Sequence, residues 1–137
     1  MLFVKKGSRM KDYDEIIKSK FNDEVQIISI NGRLTYDEIS NYKEKIMAIV
    51  DNAEGYIIDL TNVEQIDSTG LGLIINTAKH FISNQNKMVI VNDNPLTNGL
   101  FKISKLNMVF NICGSINEAM KIVLLKDEDY INGVKSY

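Results

Sequence analysis

At 137 residues and a formal net charge of -2, the chain has the size of one domain and lacks the basic balance of a nucleic-acid or anionic-membrane binder. Hydrophobic residues at 45% and charged residues at 25% are ordinary globular usage, sufficient for a core without metal or disulfide staples. The one cysteine, Cys113, excludes an internal disulfide and fits a reducing compartment.

The opening "MLFVKKGSRMKDYDE" holds no apolar run of the signal-peptide kind. No stretch approaches the roughly 18 apolar residues of a membrane span, so a cytoplasmic protein is expected. Residues 1–12 read as a loose leader, 13–125 as the domain and 126–137 as a polar tail. "EIIKSKF" and "VQIISI" are strand-forming runs, and "NDE" between them predicts a hairpin. Thr35 stands three residues before Glu38, the spacing of a capping box. Ile39, Tyr42, Ile46, Ile49 and Val50 then recur at helical intervals, and Gly55 is placed to stop that helix. "YIIDL", 56–60, is a nearly continuous apolar run, as in a strand covered on both faces. "TNVEQID" reads as a loop. A second helix follows, with Leu71, Ile74, Ile75, Ala78, Phe81 and Ile82 as its apolar stripe. "MVIV", 88–91, is the next buried strand, broken by "NDNP". A short helix is predicted from Leu96 to Ser104, and "MVFNI" as a last strand. Ser115 and Glu118 repeat the capping-box spacing before Ala119, Met120, Val123 and Leu124. Strands alternating with helices after an opening hairpin predict an α/β domain with a mixed, mostly parallel sheet and right-handed crossovers.

Few residues offer chemistry. His80 is the only histidine and sits off the apolar stripe of its helix, so an exposed side chain is expected. It follows Ser68 by twelve residues on one helix, roughly 18 Å, which excludes a Ser-His pair. No cluster of Cys, Asp or Glu accompanies it, so no metal site is expected. Cys113 has no activating neighbour and reads as a small buried hydrophobe. "STGLG" is too short for a dinucleotide fingerprint and lacks the Lys of a P-loop.

Ser68 is the residue of interest. It can cap the helix, because a serine hydroxyl accepts from an orphan backbone N–H. It can also carry a phosphoryl group, since a helix amino end favours negative charge. Gly72, inside the first turn, costs up to about 1 kcal/mol against alanine, which suggests close approach of something there. Asp67 is adjacent, and Asp59 and Glu64 are near in sequence, so a phosphoryl group of about -2 charge would meet repulsion. That combination suits a binding switch.

"YIIDLTNVEQIDSTGLGLII" resembles the signature region of the STAS domain, specifically of the bacterial anti-sigma factor antagonists. "INGRLT" resembles the family's strand-ending segment, and "NPLTNGLFKISKLNMVF" its segment before the last strand. The resemblance spans about 13–125 and implies a single STAS domain of four or five strands and about four helices. It implies that Ser68 is phosphorylated by a serine kinase that is itself the anti-sigma factor or a switch kinase. The unphosphorylated protein would hold that partner and free a sigma factor, and a metal-dependent serine phosphatase would restore binding. Asp67 would position the acceptor. Thr69, Gly70, Leu71 and Gly72 would shape the docking surface. Thr35 is counted with them, although the family often has an acidic residue there. Lys105 stands where the family commonly has glycine. The resemblance implies no catalysis, cofactor or membrane insertion, and a monomer or weak dimer. The same fold resembles regulatory subunits of ABC-type lipid or anion transporters, where Ser68 would only cap its helix. That alternative remains open from the sequence.

Overall fold

The computed structural model describes residues 16–125, so the expected leader and tail lie outside the described residues. β1 (Ile17–Asn22) and β2 (Val25–Ile30) form the antiparallel hairpin, with Ile17 opposite Ile30 and Asn22 opposite Val25. Asp23 in its turn takes φ 56, a left-handed position that Asp tolerates better than most residues. β4 (Gly55–Asp59), β6 (Lys87–Val91) and β7 (Asn111–Cys113) add in parallel, giving the order β1-β2-β4-β6-β7.

The parallel strands are always added on the same side. Right-handed crossovers therefore place the helices between them on one face. These are α1 (Tyr42–Ile49), α2 (Ser68–Ser83) and α3 (Pro95–Ile103). Ile28, Ile30, Tyr56, Ile58, Met88 and Ile90 point toward them and pack with Ile46, Ile74, Phe81 and Phe101. The Tyr56 and Phe81 rings stack with centroids 4.3 Å apart, tying α2 to β4. The alternate strand residues Val25, Ile27, Ile57, Val89 and Val91 face α4 (Ile116–Val123) through Ala119 and Val123. Burial on both faces is why these strands are apolar without alternation.

Several expectations change. No helix starts at Thr35: its carbonyl accepts from Glu38 N in a turn, and α1 begins at Tyr42 with no side-chain cap. Gly55 does not stop α1 but opens β4, where it is buried against α4. α1 ends at Ile49, whose carbonyl accepts from the buried Gln26 Nε2 at 2.7 Å. The same nitrogen donates to Ser19 Oγ at 2.7 Å, and Gln26 Oε1 accepts from Asp51 N at 2.9 Å. "TNVEQID" is not wholly loop: β5 (Val63–Ile66) pairs in parallel with β3 (Gly32–Leu34) as a separate two-stranded sheet. "MVFNI" is split, because Leu106–Met108 forms a 3-10 turn and the strand starts only at Asn111. Lys105, just before that turn, takes φ 61. The Ser115 cap forms as expected, with Ser115 Oγ accepting from Glu118 N at 3.2 Å, while Glu118 Oε1 accepts from Gly114 N at 3.3 Å rather than from Ser115 N.

A Cβ at Gly55 would collide with the Val123 side chain. Gly55→Ala should therefore lower stability by about 1–3 kcal/mol. Combined with Val123→Ala, the loss should be less than the sum of the two single losses in denaturant unfolding.

Candidate functional site

β5 ends at Ile66, and Asp67 turns the chain into α2 from an extended conformation, φ -117 and ψ -172. Asp67, not Ser68, is the N-cap: its Oδ1 accepts from Gly70 N at 3.0 Å. Aspartate and serine are equally favoured caps by type. What separates them here is reach to a second segment. Asp67 Oδ2 accepts from Tyr36 N at 2.9 Å, and Asp67 N donates to the Leu34 carbonyl at 3.2 Å. One residue thus clamps the end of β3 and the loop after it to the first turn of α2.

The two glycines differ in what lies against them within the chain. A Cβ at Gly70 would run into the Leu34 carbonyl oxygen, so the close approach that demands glycine is at Gly70. A Cβ at Gly72 would meet nothing. β3 and β5 bring these pieces together, with Leu34 opposite Ile66 across their short ladder.

Ser68 therefore occupies the first helical position, exposed, and neither its hydroxyl nor that of Thr69 bonds to any described residue. Leu71 and Gly72 are half-buried beside them. The Gly70 N–H, and next the Tyr36 N–H, hold the Asp67 carboxyl below its ordinary range. It stays charged next to the Ser68 hydroxyl. Thr35 is brought to the site but is only 8% exposed, and its hydroxyl oxygen has no hydrogen-bond partner among the described residues. Tyr36, the next residue on that loop, is a large apolar ring left 76% exposed. Sequence reasoning passed over Tyr36, because only the bond to Asp67 across the fold draws it to the site.

Other candidates stay apart. Asp59 accepts from Ser29 Oγ at 3.2 Å and Thr61 N at 3.0 Å. His80 is exposed as expected, edge-on to Phe81. Cys113 is half-buried; burial pushes its thiol up, with the Glu118 carboxylate adding to this against a Ser115 bond. An open cleft of about 610 Å³ involving Lys18, Asn62 and Glu64 contains none of the Ser68 turn. The Ser68 turn itself lies exposed at the surface, outside that cleft. Among the described residues no group of three or more His, Cys, Asp or Glu is placed to hold a metal ion. No described helix is long and apolar enough to cross a membrane.

The model of the STAS domain matches residues 17–119. The chain belongs to the STAS domain family. It is 29% identical over 110 residues to a Thermotoga maritima protein assigned as an anti-sigma factor antagonist, covering 78% of this chain and 96% of that one. A crystal structure of a Thermotoga maritima protein of the same assignment superposes with a TM-score of 0.73 at 25% identity, covering 81% of this chain and 97% of that one. The antagonist SpoIIAA in its unphosphorylated form gives a TM-score of 0.62 at 18% identity, covering 85% and 99%. The Bacillus cell fate determinant SpoIIAA in its phosphorylated form gives 0.58 at 18%, covering 77% and 96%. At 18% identity the SpoIIAA likeness speaks for the fold alone, and the fold is that of the anti-sigma factor antagonists.

Two measurements check this geometry. Gly70→Ala should destabilise by about 1–3 kcal/mol, because the obstructing atom is backbone, whereas Gly72→Ala should stabilise by up to about 1 kcal/mol through helix propensity. The Asp67 carboxyl is depressed in the folded state, so its stabilisation is complete above the ordinary carboxyl value of 3.8 and is lost as pH falls through the folded value. The melting-temperature gap between the wild type and Asp67→Ala should hold steady near neutral pH and shrink below pH 3.8.

Proposed function

We propose that this STAS protein is a phosphorylation-switched antagonist that acts by binding rather than catalysis, in the cytoplasm. Unphosphorylated, it sequesters an anti-sigma factor that is also a serine kinase, and so releases a sigma factor. The partner phosphorylates Ser68, binding is lost, and a metal-dependent serine phosphatase restores it. One observation carries this reading. Ser68 is exposed at the first position of α2 while Asp67 supplies the cap, so the Ser68 hydroxyl has no structural duty. The relatives at 25–29% identity, which are assigned as anti-sigma factor antagonists, support the same reading.

The switch is electrostatic. A phosphoserine carries about -1.5 to -2 charge at neutral pH. On Ser68 it would stand next to a carboxylate already held in its charged form by two backbone N–H groups. The fold tolerates it, because the side chain is in water at a helix amino end. A partner packed against a neutral hydroxyl does not. Losing such a contact costs on the order of 2–5 kcal/mol. Thr69, Leu71 and Gly72 complete the docking surface, with Asp67, Gly70 and Thr35 holding it from beneath. The open space over Gly72 lets a partner backbone come close.

Fragment mass spectrometry of the protein from its native cells should find phosphate on Ser68. Phosphate on Thr69 would move the acceptor by one residue. No phosphate under any growth condition would favour the alternative, a regulatory STAS module of an ABC-type lipid or anion transporter. Ser68→Ala should bind the purified kinase as wild type does, and Ser68→Asp about thirtyfold or more weakly. Equal binding by the two variants would sink the switch.

A further inference from the structure

We propose that the open cleft at the carboxyl edge of β2 and β4 binds a small zwitterion of the amino-acid type, with its carboxylate on Lys18 and its ammonium on Glu64, and that occupancy is felt at the Asp67 clamp. The site stands whatever modifies Ser68. At about 610 Å³ the cleft has room for such a molecule. One wall is Gly32, just past β2, and the other is residues 61–64, which follow β4. Lys18, on the edge strand β1, lines it as well. In open α/β sheets ligands bind outside the carboxyl ends of the parallel strands.

The polar side chains here are unspent. Lys18 stands opposite Ser29, and Ser29 opposite Asp59. The Asp59 carboxylate is taken up by Ser29 Oγ and Thr61 N. Among the described residues Lys18 has no side-chain bond or ion pair, and neither have Thr61, Asn62 and Glu64. The backbone sets Glu64 apart. Gly32 lies opposite Val63 but Arg33 lies opposite Gln65, so Glu64 is an extra residue in β5. Bulges of this kind re-aim a side chain and gather beside binding sites. In an unbroken strand Glu64 and Gln65 would take opposite faces. Here both are exposed, while Val63 is buried.

The charges select the ligand. One ammonium and one carboxylate line the cleft, a balance that suits neither a nucleoside polyphosphate nor a simple cation. A molecule with one group of each sign makes a charge-assisted bond at both ends. Thr61 and Asn62 offer a hydroxyl and an amide to whatever else it carries.

The β3–β5 ladder joins the cleft to the clamp. Its first rung, Gly32 with Val63, lies in the cleft, where Gly32 N also donates to the Asn62 carbonyl at 3.0 Å. Its last rung, Leu34 with Ile66, precedes Asp67, whose N donates to Leu34. A ligand that holds Glu64 fixes the extra residue between the two rungs, and with it their spacing.

The test uses the full chain alone, labelled with nitrogen-15. Each common amino acid would be titrated to about 10 mM, a concentration that reveals millimolar binding. Acetate, ammonium chloride and ATP would serve as probes of single sign. At least one amino acid should shift the backbone signals of Gly32, Asn62 and Glu64, and with them those of Tyr36 and Gly70, while the three other probes move none. Lys18→Gln and Glu64→Gln should each weaken binding about tenfold or more at the wild-type melting temperature. Lys20→Gln, exposed on β1 but outside the cleft, should bind as wild type. Either cleft variant suffices should the other not fold. No shift at Gly32, Asn62 and Glu64 with any amino acid overturns the inference, as do shifts that survive in a folded cleft variant. Shifts with acetate or ATP at those residues overturn the zwitterion. Shifts confined to the cleft, with Tyr36 and Gly70 still, overturn the link to the clamp. No kinase enters the experiment, so each of these results leaves the antagonist reading where it stood.

Discussion

The site depends on the Asp67 carboxylate. One oxygen accepts from Gly70 N and the other from Tyr36 N, while Asp67 N donates to Leu34. Two of these three bonds join segments more than thirty positions apart. Gly70 completes the seat by letting the helix backbone touch the Leu34 carbonyl. The Ser68 turn, the Tyr36 loop and the amino end of α2 are consequently held together at one surface. Backbone N–H groups aimed at the carboxylate favour its charged form, so the negative charge beside the Ser68 hydroxyl is fixed by the fold.

Much of this was legible in the residues. Continuous apolar runs marked β2, β4 and β6 because both their faces are covered. The Ser115–Glu118 spacing produced a real N-cap, because both residues lie within the one turn that the cap spans. The same spacing failed at Thr35, where the chain is drawn instead toward Asp67 through Tyr36 N. β3 and β5 were missed because they are three and four residues long and exist by pairing with each other across an irregularity at Gly32 and Arg33. No local pattern carries such a pair. Choosing Asp67 over Ser68 as cap, or Gly70 over Gly72 as the close contact, requires knowing where Leu34 and Tyr36 lie. Those are tertiary facts.

The sheet explains why so small a turn can be held so firmly. β4 is central, stacked through Tyr56 on Phe81 of α2, and its last residue, Asp59, is tied to Ser29 and Thr61. The Gln26 amide locks the end of α1 to the hairpin with every one of its bonds internal. By contrast, the turn after α3 holds Lys105 in a left-handed conformation that costs a side-chain-bearing residue roughly 1–2 kcal/mol. Asp23 in the hairpin turn and Gln85 after α2 share this conformation, and all three positions lie outside the Asp67 clamp.

The unequal covering of the two sheet faces has a further consequence. Among the described residues three helices shield one face and α4 alone covers the other, with Ala119 and Val123 as its fully buried side chains. Local opening of α4 would therefore be the least costly large excursion from the native state. It would bare Val25, Ile27, Ile57, Val89 and Val91 together, a flat field of branched side chains on hydrogen-bonded strands. Such a field is sticky, so the shelf life of concentrated protein should be governed by how long α4 stays docked, and amide exchange there should run ahead of that in α2.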